Sequence, residues 1–135
     1  GGAAQVKAMK QVASKVKLEL AQYNELLAFT QFGSDLDKAT RDQLNRGSKI
    51  MEVLKQPQYS PYRVEEQVIS FYCVTNGYFD DVPNEKLRTF EKDLIEAIKN
   101  DSNILSEILE KKSLDDNLKN ELDEFIINYK KEYVW

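Results

Sequence analysis

The sequence predicts an all-α domain, and three observations carry that prediction. Glycine and proline are few, 5 and 3 in 135 residues, and they fall between apolar stripes rather than inside them. Those stripes step by three and four residues, the period of a helix face, and no segment alternates in the manner of a half-buried strand. Residues that favour helix caps and turns sit at the breaks. A bundle of roughly seven helices is expected, built as one domain over residues 1–135.

The first helix is expected from about Gln5 to Ala28, with Met9, Ala13, Val16, Leu20, Tyr23 and Leu27 as its buried face. Phe32-Gly33 breaks it. Ser34 stands where an N-cap belongs, with Asp37 three residues on as a capping-box partner. The next helix is expected to end at Arg46, with Gly47 in the left-handed position that follows a helix. A short helix carrying Ile50, Met51 and Leu54 leads to a loop around Pro57. Ser60-Pro61 reads as N-cap and first residue of the following helix. Val64–Thr75 is apolar nearly all round, which marks the central helix, and Asn76-Gly77 ends it.

Pro83 opens a helix with Leu87, Phe90, Leu94 and Ile98 on one face. Ser102 and Ser113 are expected to cap the last two helices. The final one carries Leu118, Leu122, Phe125, Ile126, Tyr129 and Tyr133. Beyond about Asn100 the sequence is rich in Lys, Asp, Glu and Asn, which suits a solvated outer face of the bundle.

Composition excludes several functions. Lys and Arg total 19 against 23 Asp and Glu, a net charge of −4, so the basic stripe of a nucleic-acid binder is missing. No apolar run approaches the roughly 18 residues of a membrane span, so membrane association is expected only through partners. Cys73 is the sole cysteine and lies in an apolar run, where a buried structural thiol is expected; a reducing compartment fits. The sequence opens Gly-Gly with no initiator Met and no signal-peptide pattern, and is expected to be a piece of a longer protein.

Histidine is absent, which removes the usual catalytic base and the commonest metal ligand. Gly33, Gly47 and Gly77 are isolated and form no phosphate loop. Asp80-Asp81 and Asp115-Asp116 read as carboxylates at helix starts, where the macrodipole favours them. No complete active site is expected, and so no catalytic or metal-ligating residue is assigned.

Gln56-Pro57-Gln58 is more suggestive. Pro57 disfavours the helical region for Gln56 and holds the backbone extended, so both carboxamides project to one side. A carboxamide, donor and acceptor together, matches the edge of adenine.

Four segments carry a resemblance: Gly1-Gly2-Ala3-Ala4-Gln5, Gln31-Phe32-Gly33-Ser34-Asp35-Leu36-Asp37, Leu54-Lys55-Gln56-Pro57-Gln58-Tyr59 and Thr75-Asn76-Gly77-Tyr78-Phe79-Asp80. Together they resemble the C-terminal domain of the alpha subunit of the F-type ATP synthase, closely to about Phe90 and more loosely to Trp135. The resemblance implies an all-α domain that follows a β-barrel and a nucleotide-binding domain in the full subunit. It implies that Gln56 and Gln58 lie against the adenine of a non-catalytic nucleotide, ATP or ADP with magnesium, bound only in the full complex. It implies partners in the beta subunits and the central-stalk gamma subunit, with Phe32, Gly33, Ser34, Asp35 and Asp37 facing the rotor.

The implied location is the cytoplasmic face of a bacterial inner membrane, or an organellar inner or thylakoid membrane, as a peripheral complex. The arginine finger of the family lies just upstream of Gly1, so the domain is expected to brace it without catalysing. Tyr62 departs from the pattern, standing where Met is more frequent, as does Cys73, where Ala is frequent. The rivals are a free-standing helical interaction module and a small enzyme in its own right.

Overall fold

The computed structural model describes residues 3–30, 37–55 and 62–133, with side chains from residue 7 onward. Among these there are six helices and no strand: α1 Ala3–Thr30, α2 Lys38–Leu54, α3 Val64–Thr75, α4 Asn84–Asp101, α5 Ile104–Lys111 and α6 Asp116–Glu132. The expected all-α class holds, with one helix fewer than the rough count.

The missing break is at Gly47. Rather than ending a helix there, the backbone stays helical to Leu54. A Cβ at Gly47 would stand 2.1 Å from Cδ1 and 2.8 Å from Cβ of Tyr23, so the glycine serves close approach of α1 to α2 instead of a left-handed turn. At the second helix-ending glycine the expectation is met. Asn76 closes α3 with its N–H on the Tyr72 carbonyl, and Gly77 follows at φ +84°.

α3 is the central element. Val68, Ile69, Cys73 and Val74 have no exposed surface, and α1, α2, α4 and α5 all pack on it. The face expected on α4 is the face found, since Leu87, Phe90, Leu94 and Ile98 are all buried. On α6, Leu118, Leu122 and Ile126 are buried, while Phe125, Tyr129 and Tyr133 are half-buried, the two tyrosines against Phe90. At fully buried positions such as these, each large aliphatic or aromatic side chain contributes roughly 1.5–3 kcal/mol.

The face of α1 sits differently from the expectation. Ala8, Val12 and Val16 are the buried residues; Met9, Ala13, Leu20 and Tyr23 are half-buried, and Leu27 is exposed. No residue of α1 beyond Val16 is buried. The distal part of α1 lies outside the core, so its apolar residues no longer report a buried face.

Several caps move. α2 is capped by Asp37, not Ser34: the Asp37 carboxylate accepts from the Thr40 N–H at 2.8 Å. α6 is capped by Asp115, not Ser113, through the Leu118 N–H at 2.8 Å, which bears out one of the two acidic pairs. In both, an ionised carboxylate faces the orphan N–H groups of the first turn, where the helix dipole favours it. α3 begins at Val64 behind Arg63, three residues later than Pro61; Ser60 and Pro61 lie outside the described residues. Ser102 joins two helices, its hydroxyl donating to the Ile98 carbonyl at 2.6 Å and accepting from the Ile104 N–H at 3.3 Å.

Candidate functional site

The site residues expected from the sequence fall in two regions, the α1–α2 hairpin and the segment between α2 and α3. The hairpin is antiparallel. Glu19 meets Arg46 at 3.9 Å, and the Gln43 carboxamide donates to Gln22 at 2.9 Å. Phe29 near its end is 77% exposed. Of the proposed rotor-facing residues, Phe32, Gly33, Ser34 and Asp35 lie outside the described residues. Asp37 is described, and its side chain caps α2. The Thr40 hydrogen bonds hold its carboxyl below the usual carboxylate range. Gln56 and Gln58 also lie outside the described residues, so their pairing on one side is not placed.

What the structure does place is the framework on both sides of them. Before the segment, the Lys55 N–H closes α2 on the Glu52 carbonyl at 3.1 Å. After it, Tyr62 is held three ways. Its hydroxyl donates to Glu91 Oε1 at 3.0 Å, its carbonyl accepts from the Gln67 carboxamide at 3.1 Å, and the next N–H, of Arg63, donates to Glu66 Oε1 at 2.8 Å. Glu91 is 3% exposed, and its second oxygen accepts from the Ser70 hydroxyl. Burial pushes the Glu91 carboxyl up, while Ser70 and Tyr62 pull it back. An ionisable group this deep persists because its oxygens are hydrogen-bonded.

The Asn76–Asp80 motif explains itself structurally. Gly77 turns the backbone so that Phe79 enters the core edge-on to Phe90, with ring centres 5.9 Å apart. Asp80 then faces Arg46 of α2 in a forked pair, Nη2–Oδ2 at 2.8 Å and Nε–Oδ1 at 3.3 Å, while Asn45 donates to the Asp80 carbonyl at 2.8 Å. Asp81 pairs with Lys130 of α6 at 2.6 Å, and the same ammonium donates to the Tyr78 carbonyl. The hydroxyls of Tyr72 and Tyr78 both donate to Asp123 Oδ1, at 2.7 and 2.8 Å. The expectation that Asp80-Asp81 caps a helix is therefore corrected: the two carboxylates bind different elements and fasten α2 and α6 to this turn. Nothing in local sequence announces Arg46 or Lys130, because both pairings are long-range.

An open cleft of about 280 Å³ lies between α1 and α2, lined by Glu19, Gln22, Asp42, Gln43, Arg46 and Gly47 among others. Burial raises the Glu19 carboxyl, against the pull of Arg46. Cys73 is wholly buried, as expected, and burial pushes its thiol far up, which keeps it protonated and unreactive. Among the described residues no three Asp, Glu, His or Cys side chains converge as metal ligands. No helix among them is long and apolar enough to cross a membrane.

The described residues thus define an all-α scaffold in which α1 and α2 pair antiparallel and α3 is the central helix. The protein belongs to the family of C-terminal domains of ATP synthase alpha and beta subunits, whose model matches residues 5–129. It is 51% identical over 135 residues to the ATP synthase subunit alpha of Aquifex aeolicus, covering 99% of this sequence and 27% of that protein. It is 50% identical over 131 residues to that of Paenarthrobacter aurescens and to that of an Arthrobacter species, covering 97% of this sequence and 24% of each. It spans about a quarter of the length of these relatives.

Proposed function

We propose that this protein is the C-terminal helical domain of an alpha-type, non-catalytic subunit of a proton-translocating F-type ATP synthase. One observation carries the reading: about 50% identity, running through nearly the whole sequence, to proteins each named as subunit alpha. In this reading the domain helps form the collar around the central stalk, with beta subunits beside it and the hairpin tip, Phe32 to Asp35 with Asp37, toward the gamma subunit. Gln56 and Gln58 contribute the adenine side of a non-catalytic nucleotide site. The phosphates and magnesium are held by upstream parts of the subunit, and ATP is made or split only in the assembled complex, which lies peripherally on a membrane. The domain by itself is inactive. Its contribution is positional: the Arg46–Asp80 pair ties α2 to the turn after α3, and the Lys130–Asp81 pair ties α6 to the same turn.

The test is made on the full-length subunit. Expressed with beta- and gamma-type subunits, it should assemble into a complex that hydrolyses magnesium-ATP and pumps protons when joined to its membrane sector. Recovery of the full-length protein alone, with no beta-type partner under conditions where those partners are folded, would favour a free-standing interaction module instead.

A further inference from the structure

We propose that a recess between the start of α3, the end of α4 and α5 binds a small zwitterion, an α-amino acid with an apolar side chain. The recess holds about 140 Å³ and is lined by Arg63, Glu65, Glu66, Lys99, Leu105 and Leu109 among others. It shares no residue with the hairpin tip or the glutamine pair.

Glu65 points to a ligand. Among the described residues five polar or charged side chains are buried, and four of them are satisfied. Lys49 donates to Asn84, Ser70 to Glu91 and Thr75 to the Phe71 carbonyl, while Glu91 accepts from Tyr62 and Ser70. Glu65 is 8% exposed, yet its carboxylate has no hydrogen-bond or ion-pair partner among them. Its stem borders a narrow apolar slot with Ala8, Val68 and Ile108, which keeps water from that side. A carboxylate so placed is costly until something completes it. The first turn of α3 suits a negative charge, but the helix dipole supplies only part of that compensation.

Two cations border the same recess. Arg63 precedes α3 and Lys99 lies in the last turn of α4, and among the described residues neither is ion-paired to Glu65 or Glu66. Opposite charges therefore face one hollow without being joined across it. A lone cation entering would meet Glu65 but be repelled by Arg63 and Lys99, and a lone anion would meet the reverse. A molecule carrying both charges answers both walls: its ammonium donates to Glu65 and its carboxylate accepts from Lys99 and Arg63. The remaining wall is apolar, with Leu105 partly buried and Leu109 42% exposed. Covering it favours an aliphatic side chain on the ligand. The small volume suits a molecule of amino-acid size rather than a larger one.

Equilibrium dialysis of the full-length protein against radiolabelled L-leucine tests this. Uptake should saturate at millimolar concentration. Isopentylamine, which lacks the carboxylate, and isocaproate, which lacks the ammonium, should each displace the label about tenfold or more weakly than unlabelled L-leucine. Glu65→Gln, which keeps the size of the side chain, should lower the affinity by about tenfold or more. Glu85→Gln, which changes an exposed carboxylate in the first turn of α4, should leave it unchanged. No saturable uptake by wild type would overturn the proposal and mean that Lys99 or Arg63 closes onto Glu65 directly. Displacement by isopentylamine equal to that by L-leucine would also overturn it, reducing the recess to a cation slot. Unchanged uptake in Glu65→Gln, or an equal loss in both variants, would take the binding away from this recess. Should Glu65→Gln fail to fold, the displacement series on wild type decides alone.

Discussion

At the scale of single residues, Gly47 and Glu91 show how packing decides what composition leaves open. A glycine inside a helix reads as a break, yet here the Tyr23 ring fills the space a side chain would need. Alanine would gain about 1 kcal/mol of helix propensity. It would also force the base of the Tyr23 side chain to move, an overpacking cost of about 1–3 kcal/mol. Gly47→Ala should therefore lower stability by about 1 kcal/mol in denaturant melts, whereas in a Tyr23→Ala background the same change should be neutral or stabilising. A loss of equal size in both backgrounds would contradict the close approach.

Glu91 makes a second residue-level prediction, in pH. Its folded carboxyl is raised above the ordinary value of 4.5, first by burial. The folded state thus holds the proton more tightly than the unfolded polypeptide. The stability this gives is complete below the ordinary value and is lost as the pH rises through the raised folded one. Thermal melts from about pH 4 upward should show wild type losing ground relative to Glu91→Gln as the pH rises. Parallel curves would contradict it. The neighbours Arg88, Tyr62, Cys73 and Ser70 are common to both proteins, so the difference isolates residue 91.

At the scale of elements, the α3–α4 turn is the joint of the fold. Arg46 and Asp80 form the forked pair that sets the base of the hairpin, each with about a third of its side chain in solvent. Geometry argues for a strong pair and solvent screening argues for a weak one. A double-mutant cycle with Arg46→Ala and Asp80→Ala should return a coupling of about 1 kcal/mol. Zero coupling would mean the hairpin is held by α1–α2 packing alone.

Helix existence was legible here because periodicity and turn residues are local properties; the faces of α3, α4 and α6 follow from them directly. Boundaries were less legible where two capping residues stand close together. Asp37 and Asp115 are the caps found, and their carboxylates meet the helix dipole well. Asp80 and Asp81 were misread for a different reason. Their partners lie 34 and 49 residues away, and no spacing rule reaches that far.

At the scale of the whole molecule, the domain is a packed body with two segments on which its proposed work depends, the hairpin tip and the glutamine-bearing stretch. Unusual composition and resemblance singled out both in the sequence, and both lie largely outside the described residues. A charge at the tip should act after assembly and not on folding. Asp35→Lys should change stability by no more than about 0.5 kcal/mol, as for ordinary surface substitutions. ATP-driven proton pumping per folded complex should nevertheless fall. A sharp drop in the melt with unchanged pumping would make the tip a structural corner only.

The central claim is that this domain completes a non-catalytic nucleotide site, and nucleotide binding to the assembled complex of Gln56→Ala/Gln58→Ala tests it most directly. Each carboxamide–adenine hydrogen bond contributes about 1 kcal/mol, so affinity at the non-catalytic sites should fall by roughly one to two decades while the catalytic sites keep theirs. Unchanged occupancy of the non-catalytic sites would contradict the account.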